Sequence, residues 1–157
     1  MGARRSGRIV AFILLYRYEL NEASLSELLD MSWIDEEICK ELSLGSKKIS
    51  DRVKQFASLL LTGCIENIEQ IDMNIRKSLQ RWDINRISRI DLSLIRMGVY
   101  CLLYQSEIPS EVTIDESVSI AKEFGGDESY RFVNGVLDNI HKHVSGAIIS
   151  SDDFDNI

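Results

Sequence analysis

Apolar residues recur every three or four positions along most of this 157-residue chain. Strand-like alternation is nearly absent, so the pattern predicts helices from end to end. Over residues 5–20, Ile9, Phe12, Ile13, Tyr16 and Leu20 share one face. Ser24 with Glu27 forms a capping box that opens a short helix from Leu25 to about Met31. Trp33 to Leu42 reads as another short helix, punctuated by Gly45. From Ile49 the period is clear in Val53, Phe56, Ala57, Leu60, Cys64, Ile68, Ile71 and Ile75. That run is one long helix, or two with a bend between Asn67 and Asp72.

In the second half, Trp82-Asp83 marks a corner and Asp83 can cap a short turn. Ser88 and Asp91 resemble a second capping box. The apolar residues that follow, from Ile90 to Leu103, cover most of the circumference and predict a central, buried helix. Pro109 lacks an amide hydrogen and disfavours helical geometry at Ile108, so it ends that helix. Thr113 with Glu116 predicts a third box, opening a helix through Phe124 with Val118, Ala121 and Phe124 inward. Gly125 or Gly126 suits a left-handed cap, and Asp127 offers an oxygen to the next set of free amides. The last helix is expected from about Glu128 to Val144, with Phe132, Val133, Val136, Leu137 and Ile140 on its inward stripe. Residues 145–157 read as a flexible acidic tail. The class is all-α: about seven helices in one domain over 1–144, halved near residues 80–88 into parts of roughly 1–80 and 81–144.

Charge changes the picture. The net charge is −7, but residues 1–20 carry Arg4, Arg5, Arg8 and Arg17 against Glu19, a local excess of cations on an acidic body. A short basic arm of this kind is an interaction pattern. Composition excludes other classes. No apolar run is long enough for a membrane span, and Ile9 to Tyr16 reads as a buried helix rather than a signal peptide. Cys39, Cys64 and Cys101 are distant, odd in number and without a C-x-x-C, as expected for reduced core thiols in a cytoplasmic protein. His141 and His143 are two apart on a helix and cannot share a metal on one face. No nucleotide-binding or nucleophile motif occurs, so neither catalysis nor a cofactor is expected.

Nucleic-acid binding has more support. Arg4, Arg5 and Arg8 can neutralise about three phosphates, and arginine also stacks on unpaired bases. Tyr16, Tyr18, Tyr130 and Phe132 are candidate stacking surfaces, with core packing the alternative for Tyr16 and Phe132. Three arginines promise weak affinity, so a second protein supplying further contacts makes physical sense.

Three blocks carry a family resemblance. They are Arg4-Arg5 through Arg8 with Leu15-Tyr16; Trp82, Arg86, Ile90-Asp91, Leu94-Ile95-Arg96 and Tyr100; and Ile108-Pro109, Val112 to Glu116, Ala121-Lys122, Phe124-Gly125, Ser129 and Phe132 to Asp138. Together the chain resembles the NusB family of transcription antitermination factors. The resemblance implies two small packed helical bundles and a non-catalytic adaptor. It implies that the adaptor pairs with the ribosomal protein NusE, binds boxA-type RNA of ribosomal-RNA leaders, and serves the RNA polymerase antitermination complex. It assigns Arg4, Arg5, Arg8, Arg131 and Phe132 to RNA, and Tyr16 and Asp91 to the partner. Ser6 departs from the pattern, standing where a further basic residue is frequent. Two other readings remain: an accessory domain like the front part of ribosomal-RNA cytosine methyltransferases, and a homodimeric scaffold in which the arm is masked.

Overall fold

Local start signals decide several of the helices. The computed structural model describes residues 2–20, 23–80 and 83–149, with the side chains of 145–149 left aside. Among the described residues all regular structure is helical: α1 (Ala3–Glu19), α2 (Leu25–Leu29), α3 (Glu36–Glu41), α4 (Asp51–Glu66), α5 (Ile68–Leu79), α6 (Arg89–Tyr104), α7 (Ser110–Phe124) and α8 (Ser129–Ile149), with a 3-10 turn at Ile84–Arg86. The Ser24 hydroxyl accepts from Glu27 N at 3.3 Å and Ser88 Oγ from Asp91 N at 3.1 Å, as the two boxes predict. Asp35 caps α3 through Ile38 N at 3.0 Å, which trims the expected Trp33–Leu42 helix. Asp83 accepts from Asn85 N at 2.9 Å. Trp82 and residues 150–157 lie outside the described residues.

Several expectations are corrected. The helix expected from residue 5 begins at Ala3, so the arginines form the first turns of α1 rather than an arm ahead of it. Arginine is a good helix former, and Ser6 N already bonds to the Gly2 carbonyl at 3.1 Å. Next, α7 starts at Ser110. Pro109 leaves its carbonyl to accept from Val112 N at 3.0 Å and Thr113 N at 3.2 Å, so the ladder is under way before Thr113. Thr113 is buried instead, and its Oγ1 has no hydrogen-bond partner among the described residues. The inward face of α7 is Ile114, Ser117, Ile120 and Ala121, whereas Val118 and Phe124 are only half-buried.

The third correction concerns Gly125, which is extended at φ −91, ψ −178, not left-handed. Its need for glycine is steric: a Cβ there lies 2.6 Å from Ser129 Cβ and 2.7 Å from the Ala121 carbonyl oxygen. Ser129, not Asp127, supplies the side-chain bond at this corner, its Oγ accepting from Gly126 N at 3.0 Å. The fourth is that α8 continues to Ile149 rather than ending near Val144.

The chain divides into two compact units, Met1–Glu66 and Asn67–Ile157. The break falls at Asn67, where φ −113, ψ 18 interrupts the helix, earlier than the 80–88 region the sequence suggested. It falls there because α5 packs on α6 and α8. In the first unit α1 lies along α4 and also meets α2, burying Ile9, Phe12, Leu14, Leu28, Leu60 and Leu61. In the second, α6 is central, touching α5, α7 and α8, and every residue from Asp91 to Cys101 is buried. One polar pair spans that core. Arg96 Nε and Nη2 donate to Asp72 Oδ1 and Oδ2, both at 2.9 Å, a bidentate bond between α5 and α6. Cys39, Cys64 and Cys101 are buried thiols, none of them in a disulfide. Burial, with the Asp35 and Glu36 carboxylates, pushes the Cys39 thiol above its ordinary pKa.

Candidate nucleic-acid interface

The first unit builds its basic surface at the start of α1. Gly2 is the N-cap, extended at φ −71, ψ 152, with no side-chain cap bond, and the first turn holds no acidic residue. Free amides and the positive end of the helix dipole therefore coincide with Arg4 and Arg5. Arg4 is exposed, Arg5 half-buried and Arg8 4% exposed. Arg4 and Arg8, one turn apart, both lie over the Phe56 ring of α4, with Cζ at 6.0 and 5.4 Å from its centroid. Gly7 lets α4 approach this closely: a Cβ there lies 2.7 Å from Phe56 Cδ1. Ser6 is buried, so the position that departs from the basic pattern faces inward.

The second unit has its own cation cluster at the α7–α8 corner. Lys122 Nζ sits 5.1 Å and Arg131 Cζ 5.5 Å from the Tyr130 ring centroid. Arg131 Nε donates to Tyr130 Oη at 2.9 Å, and Arg131 Nη1 lies 3.5 Å from Glu128 Oε2. Lys122 and Arg131 are exposed, and Phe132 is half-buried, next in sequence to the core residue Val133.

Of the two expected partner-facing residues, Tyr16 is half-buried on α1. Asp91 sits in the first turn of α6, where a carboxylate suits the helix dipole. It is 9% exposed, and its Oδ1 has no hydrogen-bond partner among the described residues. A buried acceptor of this kind calls for a donor.

Sequence reading missed Phe56, which it placed among the core positions of α4, and Lys122, which it used only as part of a motif. The signal for Phe56 was the i, i+4 spacing of Arg4 and Arg8, which puts both guanidinium groups on one helix face. For Lys122 it was a tyrosine followed at once by arginine, just after a helix ending in lysine.

The helices and the two clusters of cations on aromatic rings define an all-α protein that presents positively charged side chains in each of its units. The comparisons make this particular. The NusB family model matches residues 5–142. The chain is 39% identical over 137 residues to the transcription antitermination protein NusB of Treponema denticola, covering 87% of this chain and 94% of that protein. It superposes on T. maritima NusB with a TM-score of 0.71 at 35% identity, covering 88% and 90% of the two chains. A crystal structure of the antitermination factors NusB and NusE in complex with double-stranded RNA gives a TM-score of 0.73 at 26% identity, covering 91% and 98%. The chain belongs to the NusB family.

Proposed function

We propose that this chain is a transcription antitermination factor of the cytoplasm that binds boxA-type RNA together with NusE and acts within the RNA polymerase antitermination complex. The observation that carries the reading is the uncapped, acid-free first turn of α1 bearing Arg4 and Arg5, in a chain of the NusB family. Exposed Arg4 and half-buried Arg5 contact phosphates. Arg8, nearly enclosed, adds its charge from beneath them. Arg131 and Phe132 supply the second unit's RNA contacts. Tyr16 and Asp91 face the partner, and the lone Oδ1 of Asp91 supports this because a donor from NusE completes it.

No catalytic step belongs to this reading. Among the described residues no helix is long and apolar enough to cross a membrane. The test is binding of boxA-type RNA by the full chain, with and without NusE, at about 50 and about 200 mM salt. Replacing Arg4 and Arg5 by Ala should weaken binding and lower the salt slope by roughly 1 to 1.5 units, since each phosphate contact on a single strand contributes about 0.7. Asp91→Ala should reduce the gain from NusE more than it reduces binding to RNA alone. Absence of any gain from NusE, or of sequence preference, sinks the proposal. A mass that doubles and an RNA affinity that vanishes at high protein concentration would favour the masked homodimer instead.

A further inference from the structure

We infer that Phe56 and Tyr130 are positioning residues, Phe56 a ring that pre-orients exposed Arg4 for phosphate above the enclosed Arg8 and Tyr130 a ring that pre-orients Lys122 and Arg131, and that Lys122 joins the RNA-binding set. The inference deepens the RNA-binding reading and rests on it.

Arginine and lysine side chains have many rotamers, and holding them on a ligand costs the entropy of choosing one. A ring face that already attracts the cation removes part of that cost before the ligand arrives. Both units show the same device built from unrelated residues. In the first, Phe56 reaches Arg4 and Arg8 from another helix, at 6.0 and 5.4 Å. Its position is fixed from below by the absence of a side chain at Gly7. In the second, Tyr130 holds Lys122 at 5.1 Å and Arg131 at 5.5 Å, and its hydroxyl accepts from Arg131 Nε at 2.9 Å. A ring that carries two cations presents those charges to a ligand, which makes positioning a better account of Tyr130 than base stacking.

Core packing alone does not account for Phe56. It is half-buried, whereas its neighbours on the α4 stripe, Val53, Ala57 and Leu60, are at most 6% exposed. Nor does a local ion pair account for Lys122. Its Nζ lies over Tyr130, while the Arg131 guanidinium is the group facing Glu128.

The test uses the full chain with NusE and boxA-type RNA. Phe56→Leu should weaken binding about three- to five-fold and make the salt dependence shallower, while Phe56→Tyr restores both. In an Arg4→Ala/Arg8→Ala background, Phe56→Leu should add nothing, a coupling that a merely structural residue would not show. Tyr130→Leu should behave likewise against Lys122→Gln/Arg131→Gln. An equal loss in both backgrounds, or wild-type binding by Phe56→Leu and Tyr130→Leu, overturns the inference.

A measurement without RNA separates this from the wider reading. Relaxation of the Arg4 and Arg131 Nε–H groups in the free protein should show order that falls in the Leu variants and returns in Phe56→Tyr. Unchanged order overturns positioning even where RNA binds. Ordered cations in a wild-type chain that binds no RNA overturn the binding reading, and the role of Lys122 with it.

Discussion

The two cation-bearing rings sit in differently built surroundings. Phe56 meets Arg4 and Arg8 only because α1 lies along α4, so that surface depends on packing between helices distant in sequence. Tyr130 meets Arg131 as its neighbour and Lys122 across one corner, so that surface depends on how α7 turns into α8. The first is as firm as a helix–helix contact. The second is as firm as a turn held by Ser129 and by the core beneath α8. The difference teaches that similar surface chemistry can rest on separate supports, and each support can be removed by itself.

The largest effect is expected at Asp72. Its carboxylate receives two hydrogen bonds from Arg96 between α5 and α6, and both side chains are mostly enclosed, at 11% and 14% exposure. Asp72→Ala takes away the matched acceptor of a buried guanidinium and should destabilise the second unit by about 3 kcal/mol. Hydrogen exchange should show α5 and α6 losing protection while α1 and α4 keep theirs. Equal loss across all four helices would contradict the idea that the two surfaces have separate supports.

Gly7→Val attacks the other support. The added side chain meets Phe56 Cδ1 from a Cβ position 2.7 Å away, so the ring or α4 must move. Overpacking of this kind costs about 2 kcal/mol. Denaturant unfolding checks the loss, and RNA titration should show Arg4 and Arg5 contributing less. A variant as stable as the parent, with unchanged affinity, would mean that α1 and α4 tolerate a wider gap. Ser129→Ala comes next. It removes the hydroxyl that accepts from Gly126 N at 3.0 Å, in a residue only 8% exposed. The expected cost is about 1 kcal/mol, read as a lower Tm. The Arg131 Nε–H signal should shift while that of Arg4 stays in place.

How much of this could be read from the sequence follows from how local each feature is. The caps at Ser24, Asp83 and Ser88 were legible because donor and acceptor lie two or three residues apart. Burial of α6 was legible because apolar residues surround the helix on all sides. The start of α7 was not, because Thr113-Glu116 and Pro109 both carry start signals and only the competition between them decides. Gly-Gly at 125–126 suggested backbone freedom, whereas the requirement is space beside Ser129. The arginines were legible as charge. Their arrangement was not, since Phe56 is 48 positions beyond Arg8, and no local pattern announces which face of α4 will meet α1. The Asp72–Arg96 bond, 24 residues apart, was hidden for the same reason.

The smallest effect on stability sharpens the contrast between two arginines of one unit. Arg96 is enclosed and bidentate, whereas the Arg131 side chain is 68% exposed and its ion pair with Glu128 spans 3.5 Å. Exposed pairs at this spacing contribute little, so Arg131→Ala should change unfolding free energy by less than about 0.5 kcal/mol. Its partner Tyr130 keeps Lys122, so the corner should hold. The same substitution should still weaken RNA binding and reduce its salt slope, because the residue's expected work is done on a ligand rather than on the fold. Denaturant melts and RNA titrations on one preparation give both numbers. A stability loss near that of Asp72→Ala would make Arg131 part of the scaffold, and Arg4 and Arg5 would then be left as the main cationic contact to phosphate.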